Sequence, residues 1–189
     1  MADFETYLKK ASDFHRHTCV GIALGTRITL AAMKSLGLKP GEKHKNLIVF
    51  TEIDRCMTDA VQAITGCSLG RRSLKYMDYG KFAATFVNLD TGKAVRGTVK
   101  EHYGNDKPLE EILKLLAGIP DDKLVTLQEV TVNIAEKDLP GPPKQKAVCA
   151  TCGEAIMDGR GITDGDKTLC RTCAHGGYYR QGKTREPAI

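Results

Sequence analysis

Two cysteine pairs constrain this chain more tightly than any other feature. Cys149-Ala150-Thr151-Cys152 and Cys170-Arg171-Thr172-Cys173 stand seventeen residues apart. That spacing suits a structural zinc site with four thiolate ligands. Zinc takes four donors in a tetrahedron, and each C-x-x-C turn offers two of them from one side. Roughly forty residues cannot bury much of a core, so the metal supplies the folding energy. Met157-Asp158-Gly159-Arg160-Gly161 and Asp164-Gly165-Asp166 read as hairpin turns, and the second pair opens a short helix. The expectation is a treble-clef zinc ribbon over 147–189. His175 is a substitute ligand on paper, and a surface residue otherwise.

Lys137-Asp138-Leu139-Pro140-Gly141-Pro142-Pro143-Lys144 precedes this module. Its prolines make it stiff and extended. It is read as a linker over 139–146, leaving residues 1–138 as the main domain. No apolar run is long enough to span a bilayer. The first residues, Met1-Ala2-Asp3-Phe4-Glu5, are acidic and lack an apolar signal core. A cytoplasmic protein is expected. Seven cysteines is an odd number, and in that compartment they point to metal rather than disulfides.

Residues 141–189 carry eight Lys/Arg and five Asp/Glu, a formal +3. Four thiolates and one zinc together add −2, leaving about +1. That is too little for a strong electrostatic footprint on nucleic acid. The tail Arg180-Gln181-Gly182-Lys183-Thr184-Arg185 is basic and suits a phosphate contact, and Tyr178-Tyr179 could stack on bases or pack on protein.

In the main domain the concentration of chemistry is Phe14-His15-Arg16-His17-Thr18-Cys19-Val20-Gly21. Two imidazoles and a thiol fall within five residues, just before an apolar helical pattern. Helix N-termini carry partial positive charge and unpaired N–H groups, which favour thiolate, the form that binds metal or attacks. The same residues would also serve as a polar turn capping a helix.

The periodicity predicts helices over 3–14 and 20–36 and a buried strand over 46–54. If that strand stays extended to Cys56, Glu52, Asp54 and Cys56 share a face. A short helix follows from Thr58 to Thr65, closed by Gly66. Asp59 in its first turn compensates the helix dipole. Gly66 to Lys75 reads as a basic loop, with Arg71 and Arg72 able to cradle an anion. Strands over 81–89 and 94–100 form a hairpin, a helix runs over 108–117, and one or two strands lie in 124–135. The fold class is α+β: a mixed, largely antiparallel sheet with helices packed on it.

Three ordered motifs carry a family resemblance: Phe14-His15-x-His17-x-Cys19-x-Gly21, Glu52-x-Asp54-x-Cys56-x-x-Asp59-Ala60, and Thr65-Gly66-Cys67-Ser68-Leu69-Gly70. Over roughly residues 10–135 the chain resembles the FmdE family, named for formylmethanofuran dehydrogenase. The family pattern usually reads His-x-Cys-Pro-Gly, and Val20 stands here in place of the proline. The resemblance implies an often dimeric α+β core, in some members with a C-terminal zinc finger. It implies a core metal or active site using His17, Cys19 and Cys56, with His15 as a fourth ligand or as support, and it leaves Cys67 open. The second metal would be zinc or another transition metal with an open position. Cys19, Glu52 and Asp59 are then the catalytic candidates, with Glu52, Asp54 or Asp59 acting as base or orienting a histidine. The ligand would be a small anion or a C1 carrier, and dehydrogenase subunits would be partners. No pterin-dinucleotide or iron–sulfur signature is present, so the expected role is an accessory or related metalloprotein of one-carbon metabolism. The competing reading is a regulator that binds nucleic acid or a protein through its zinc module.

Overall fold

The computed structural model describes residues 2–101, 103, 107–180 and 182. The chain divides into two compact units, Met1–Ile134 and Ala135–Ile189.

In the first unit α1 (Ala2–His15) and α2 (Val20–Ser35) lead into β1 (Leu47–Thr51), and α3 (Cys56–Thr65) and β2 (Leu74–Tyr76) follow. Then come β3 (Ala83–Asn88), β4 (Ala94–Val99), α4 (Leu109–Gly118), the single turn α5 (Asp121–Leu124) and β5 (Val125–Glu129). The five strands form one sheet in the order β2-β1-β3-β4-β5. Only the β1–β2 pair is parallel. The sheet is thus mixed and mostly antiparallel, as the pattern predicts.

Helix α2 is the centre of this unit. It packs against α1 and α3, against α4, and against β3, β4 and β5. Contact on so many sides explains why residues from Ile22 to Thr29 are buried without a break, where an ordinary amphipathic helix buries one stripe. Two glycines permit the close approach. A Cβ on Gly25 would lie 2.8 Å from the Cα of Met57 in α3, and one on Gly97 in β4 would lie 2.8 Å from Cγ2 of Ile28. The buried cation on this helix is accounted for as well. The Arg27 guanidinium donates to the carbonyl of Leu116, to the carbonyl of Ile119 at 2.5 Å and to Asp121 at 2.8 Å. A buried cation is tolerated when its donors are satisfied in this way.

Four local expectations need correction. The first strand ends at Thr51, and the chain bends before α3 opens at Cys56, so Glu52, Asp54 and Cys56 do not share an extended face. Leu74–Tyr76, read as part of a loop, is an edge strand: three residues are too few to show a period, and pairing with β1 makes it a strand. Val130, Val132 and Ile134 alternate but form no strand, because β4 begins at Ala94 and its last contact in that direction is Val130 N–H to Ala94 C=O. Lastly, Leu124, expected at the start of a strand, closes α5.

The second unit has two short hairpins and one helical turn. β6 (Ala147–Val148) pairs with β7 (Ala155–Ile156), β8 (Ile162–Asp164) pairs with β9 (Lys167–Leu169), and α6 (Arg171–His175) follows. Gly165 at φ +62° closes the β8–β9 turn. Among the described residues only Cys149 and Ile156 are buried hydrophobics here. The segment Glu136–Asp138 belongs with this unit: Glu136 pairs with Lys144 and Asp138 with Arg160, each at 2.7 Å.

Candidate metal centres

The four cysteines of the second unit converge. Their sulfurs lie within 4.8 Å of one another. The first pair sits on the β6–β7 turn, and Cys170 caps α6. Cys152 Sγ and Cys170 Sγ are 3.9 Å apart. Zinc–sulfur bonds of about 2.3 Å in a tetrahedron place sulfurs about 3.8 Å apart, so the set fits zinc. The backbone already treats these sulfurs as anions in waiting. Cys170 N–H points at Cys149 Sγ at 3.3 Å, and Cys173 N–H at Cys170 Sγ at 3.4 Å. Backbone N–H groups of Cys152 and Cys170 bring the Cys149 thiol down to about 6. Its neighbour Cys173 is pushed up to about 12, chiefly by its hydrogen bond with Cys170. His175 stands outside the group.

In the first unit the His-x-His-x-Cys stretch forms the joint between α1 and α2. His15 ends α1, and Arg16 turns the chain with φ +73°. That left-handed turn, rare for a residue other than glycine, brings the His17 ring back to 4.3 Å from the His15 ring, centroid to centroid. Cys19 caps α2, its sulfur accepting from Ile22 N–H at 3.4 Å. The donor atoms of His15, His17 and Cys19 lie within 4.8 Å of one another.

Asp59, in the first turn of α3, does more than compensate a dipole. Its Oδ2 is 2.7 Å from Nδ1 of His15, and its Oδ1 accepts from Gln62 Nε2 at 3.2 Å. Holding Nδ1–H against a carboxylate fixes the tautomer and leaves Nε2 with its lone pair. That Nε2 is buried and has no hydrogen-bond partner. A buried acceptor without a partner is costly, and a cation bound at this nitrogen would satisfy it. Two imidazoles and a thiolate suit zinc or a similar borderline metal.

The other predicted site residues separate from this group. Cys56 opens α3 beside Cys19 but is not one of the three grouped donors. Burial, then the neighbouring Cys19, push its thiol above the ordinary value. The Cys67 thiol is buried and donates to Leu47 C=O at 3.5 Å, which makes it a core residue. Glu52 is buried, and both its oxygens are taken by Arg96, at 2.6 and 2.7 Å. Asp54 is exposed on the bend after β1. Sequence reasoning missed Gln62 and Arg96. Gln62 had a local signal, its place three residues after Asp59 on one helix face. Arg96 had none, since it meets Glu52 only through the sheet. Of the basic tail, only Arg180 and Gly182 lie within the described residues.

A domain of this architecture, carrying a His/Cys cluster at a helix joint and followed by a four-cysteine finger, defines a class of metal-binding protein. Residues 14–136 match the family described as FmdE, molybdenum formylmethanofuran dehydrogenase operon. Residues 145–179 match the prokaryotic dksA/traR C4-type zinc finger. The chain belongs to the FmdE family. Its fold is similar to the crystal structure of a tungsten formylmethanofuran dehydrogenase FmdE-like protein from Syntrophus aciditrophicus, with a TM-score of 0.64 at 22% identity, covering 94% of this chain and 95% of the other. A probable S-adenosyl-L-methionine-binding protein from Archaeoglobus fulgidus is 33% identical over 199 aligned positions, which cover 91% of this chain and 53% of that protein. The chain thus spans about half the length of that curated relative. No helix among the described residues is long and apolar enough to cross a membrane.

Proposed function

We propose that this is an accessory or related cytoplasmic metalloprotein of one-carbon metabolism, with a structural zinc in the finger and a second, ligand-capturing metal in the core. His15, His17 and Cys19 are the core ligands, and a fourth position stays open to a small anion or a C1 carrier. The observation that carries this reading is the unpartnered Nε2 of His15, buried beside two other donors and oriented from behind by Asp59. The metal, when bound, would supply Lewis acidity at the open position. Asp59 acts as a positioning residue through His15. Glu52 is held by Arg96 through one hydrogen bond to each of its oxygens and lies at the end of the sheet. The family description supports the link to formylmethanofuran dehydrogenase. Dehydrogenase subunits and a second copy of the chain are the partners this reading takes.

The test is metal content per chain. The full chain is expected to hold two metals. Cys152→Ser with Cys173→Ser should leave one, and His15→Ala with Cys19→Ala should leave the other. One metal in the wild type, lost only with the finger cysteines, would sink the core site. Asp59→Asn keeps the size of the side chain but removes the charge behind His15. It is expected to weaken core metal binding by about 10- to 100-fold with the finger unaffected, as read by competition against a chromophoric chelator.

A second reading takes its ligand from the name of the Archaeoglobus relative, S-adenosyl-L-methionine. Equilibrium dialysis separates the two. Binding that survives Cys19→Ala would place that ligand away from the cluster.

A further inference from the structure

We propose that Cys19 and Cys56 form a reversible disulfide that competes with the core metal for the Cys19 sulfur. The competition rests on the metal reading above, whereas the bond itself rests only on the geometry of two helix starts. Cys19 caps α2 and Cys56 is the first residue of α3. The two meet at Gly21. A Cβ on that glycine would lie 3.8 Å from the Cys19 sulfur, 3.6 Å from the Cys56 sulfur and 3.1 Å from the Cys56 Cβ. Both thiols therefore border one small space that the missing side chain leaves open. Both also pack on the same cluster of Ala11, Ile22, Ala60 and Ala63. Neither is buried, so a small oxidant can reach them. Cys67, by contrast, is buried and bonded to Leu47, and the finger cysteines are claimed by one another.

The chemistry balances with a peroxide as oxidant. The Cys19 thiolate attacks one peroxide oxygen, the O–O bond breaks, and the departing hydroxide takes a proton to leave as water. Cys19 is then a sulfenic acid. The Cys56 sulfur attacks it, the S–O bond breaks, and a second water departs with the Cys56 proton. Two thiols lose two electrons and hydrogen peroxide becomes two waters. The product removes the only sulfur from the grouped donors and leaves two imidazoles, which hold a soft metal less tightly. A dithiol reductant reverses the step.

The test uses the full chain, stripped of metal or loaded with zinc, treated with hydrogen peroxide and digested with trypsin without reduction. In the metal-free wild type, mass spectrometry should find residues 17–27 linked to residues 56–71. Zinc should slow this link by at least about tenfold, and dithiothreitol should remove it. Because the second peptide also holds Cys67, Cys67→Ser must keep the link and Cys56→Ser must lose it. In Cys56→Ser, a sulfenic-acid trap should instead label Cys19. No link in metal-free wild type, at a dose that joins Cys149 to Cys152, overturns the proposal. So does a link that persists in Cys56→Ser, or one that forms equally fast with zinc bound to both sites. Metal stoichiometry reports separately on the core-site reading, so the two can fail independently.

Discussion

Gly25→Val is expected to destabilise the first unit by about 3 kcal/mol or more and to weaken the proposed core metal site at the same time. The first turns of α2 approach α3 so closely that a Cβ at position 25 would sit 2.8 Å from the Met57 Cα and 3.0 Å from the Ala60 Cβ. The nearest of these is a backbone atom, and no rotamer change moves it aside. Overpacking a dense core typically costs about 1–3 kcal/mol, and valine adds two methyl groups beyond the offending Cβ. Every kcal/mol lost lowers the melting temperature by roughly 2–8 °C in domains of this size range, so a drop on the order of 10 °C is expected by calorimetry. The site effect has a separate cause. Asp59 rides on α3, while its partner His15 ends α1, and their contact is 2.7 Å. Moving α3 out by about 1 Å would take that contact past hydrogen-bonding range. Metal affinity at the proposed core site should therefore fall in samples held well below the melting transition. An unchanged melting temperature would mean that α2 and α3 do not approach as the structure has them.

How much of this is readable in the sequence follows from the range of each interaction. The finger is fully legible in its ligands, because C-x-x-C pairs are local and their chemistry admits few uses. Helices α1 and α2, the α3 stop at Gly66 and the β3–β4 hairpin are legible for the same reason: caps, turn residues and periods act within a few positions. Gly66 does cap α3 with φ +71°. What sequence does not give is the work done through space. By position Asp59 reads as a dipole compensator, the resemblance adds a base or a histidine-orienting role, and only the packing of α3 against the end of α1 names His15 as its partner. The partner of Glu52 is Arg96, which the sheet brings to it across a separation of forty-four residues. Cys56 reads as a metal ligand by motif, and the bend after β1 places it beside Cys19 at the start of α3. Edge strand β2 has too few residues to show a period at all.

These long-range pairings also explain how the fold stays stable around the proposed site. Helix α2 is anchored at its middle by Arg27, which ties it to the α4–α5 corner, and by Ile28 against Gly97. The joint that carries His17 and Cys19 is therefore not needed to hold the helix. It is free to keep a left-handed Arg16 and an unsatisfied imidazole nitrogen, features that cost stability where they stand.

Removing zinc is expected to unfold the second unit outright, and the loss should steepen as pH falls. Structural zinc sites bind with apparent free energies of about 10–16 kcal/mol at neutral pH, while the apolar core here amounts to Ile156 and one of the ligands. No other source of stability on that scale is visible among the described residues. A strong chelator added to the full chain should make residues beyond Ala135 susceptible to protease while the first unit stays resistant. The direction of the pH effect follows from the thiols. Zinc needs all four as thiolates. Without metal, the Cys149 thiol lies near 6. Cys152 lies above its ordinary value, because the Glu154 N–H that lowers it is outweighed by partial desolvation and by its hydrogen bonds with Cys149 and Cys170, and Cys173 is near 12. At pH 7 Cys149 is already ionised, and binding must expel protons from at least Cys152 and Cys173. With at least two protons released, the affinity falls by about a hundredfold or more for each pH unit lowered. Below about pH 6 Cys149 takes up a proton too, and the dependence gains about another factor of ten per unit. The depressed Cys149 value works in the same sense: its contribution is present above the ordinary thiol range and lost as pH falls through about 6. A titration of zinc release against pH on the His15→Ala, Cys19→Ala double variant, which reports the finger alone, should show this break in slope. A finger that keeps its protease resistance after complete chelation would show that the hairpins hold themselves together and that zinc is a passenger.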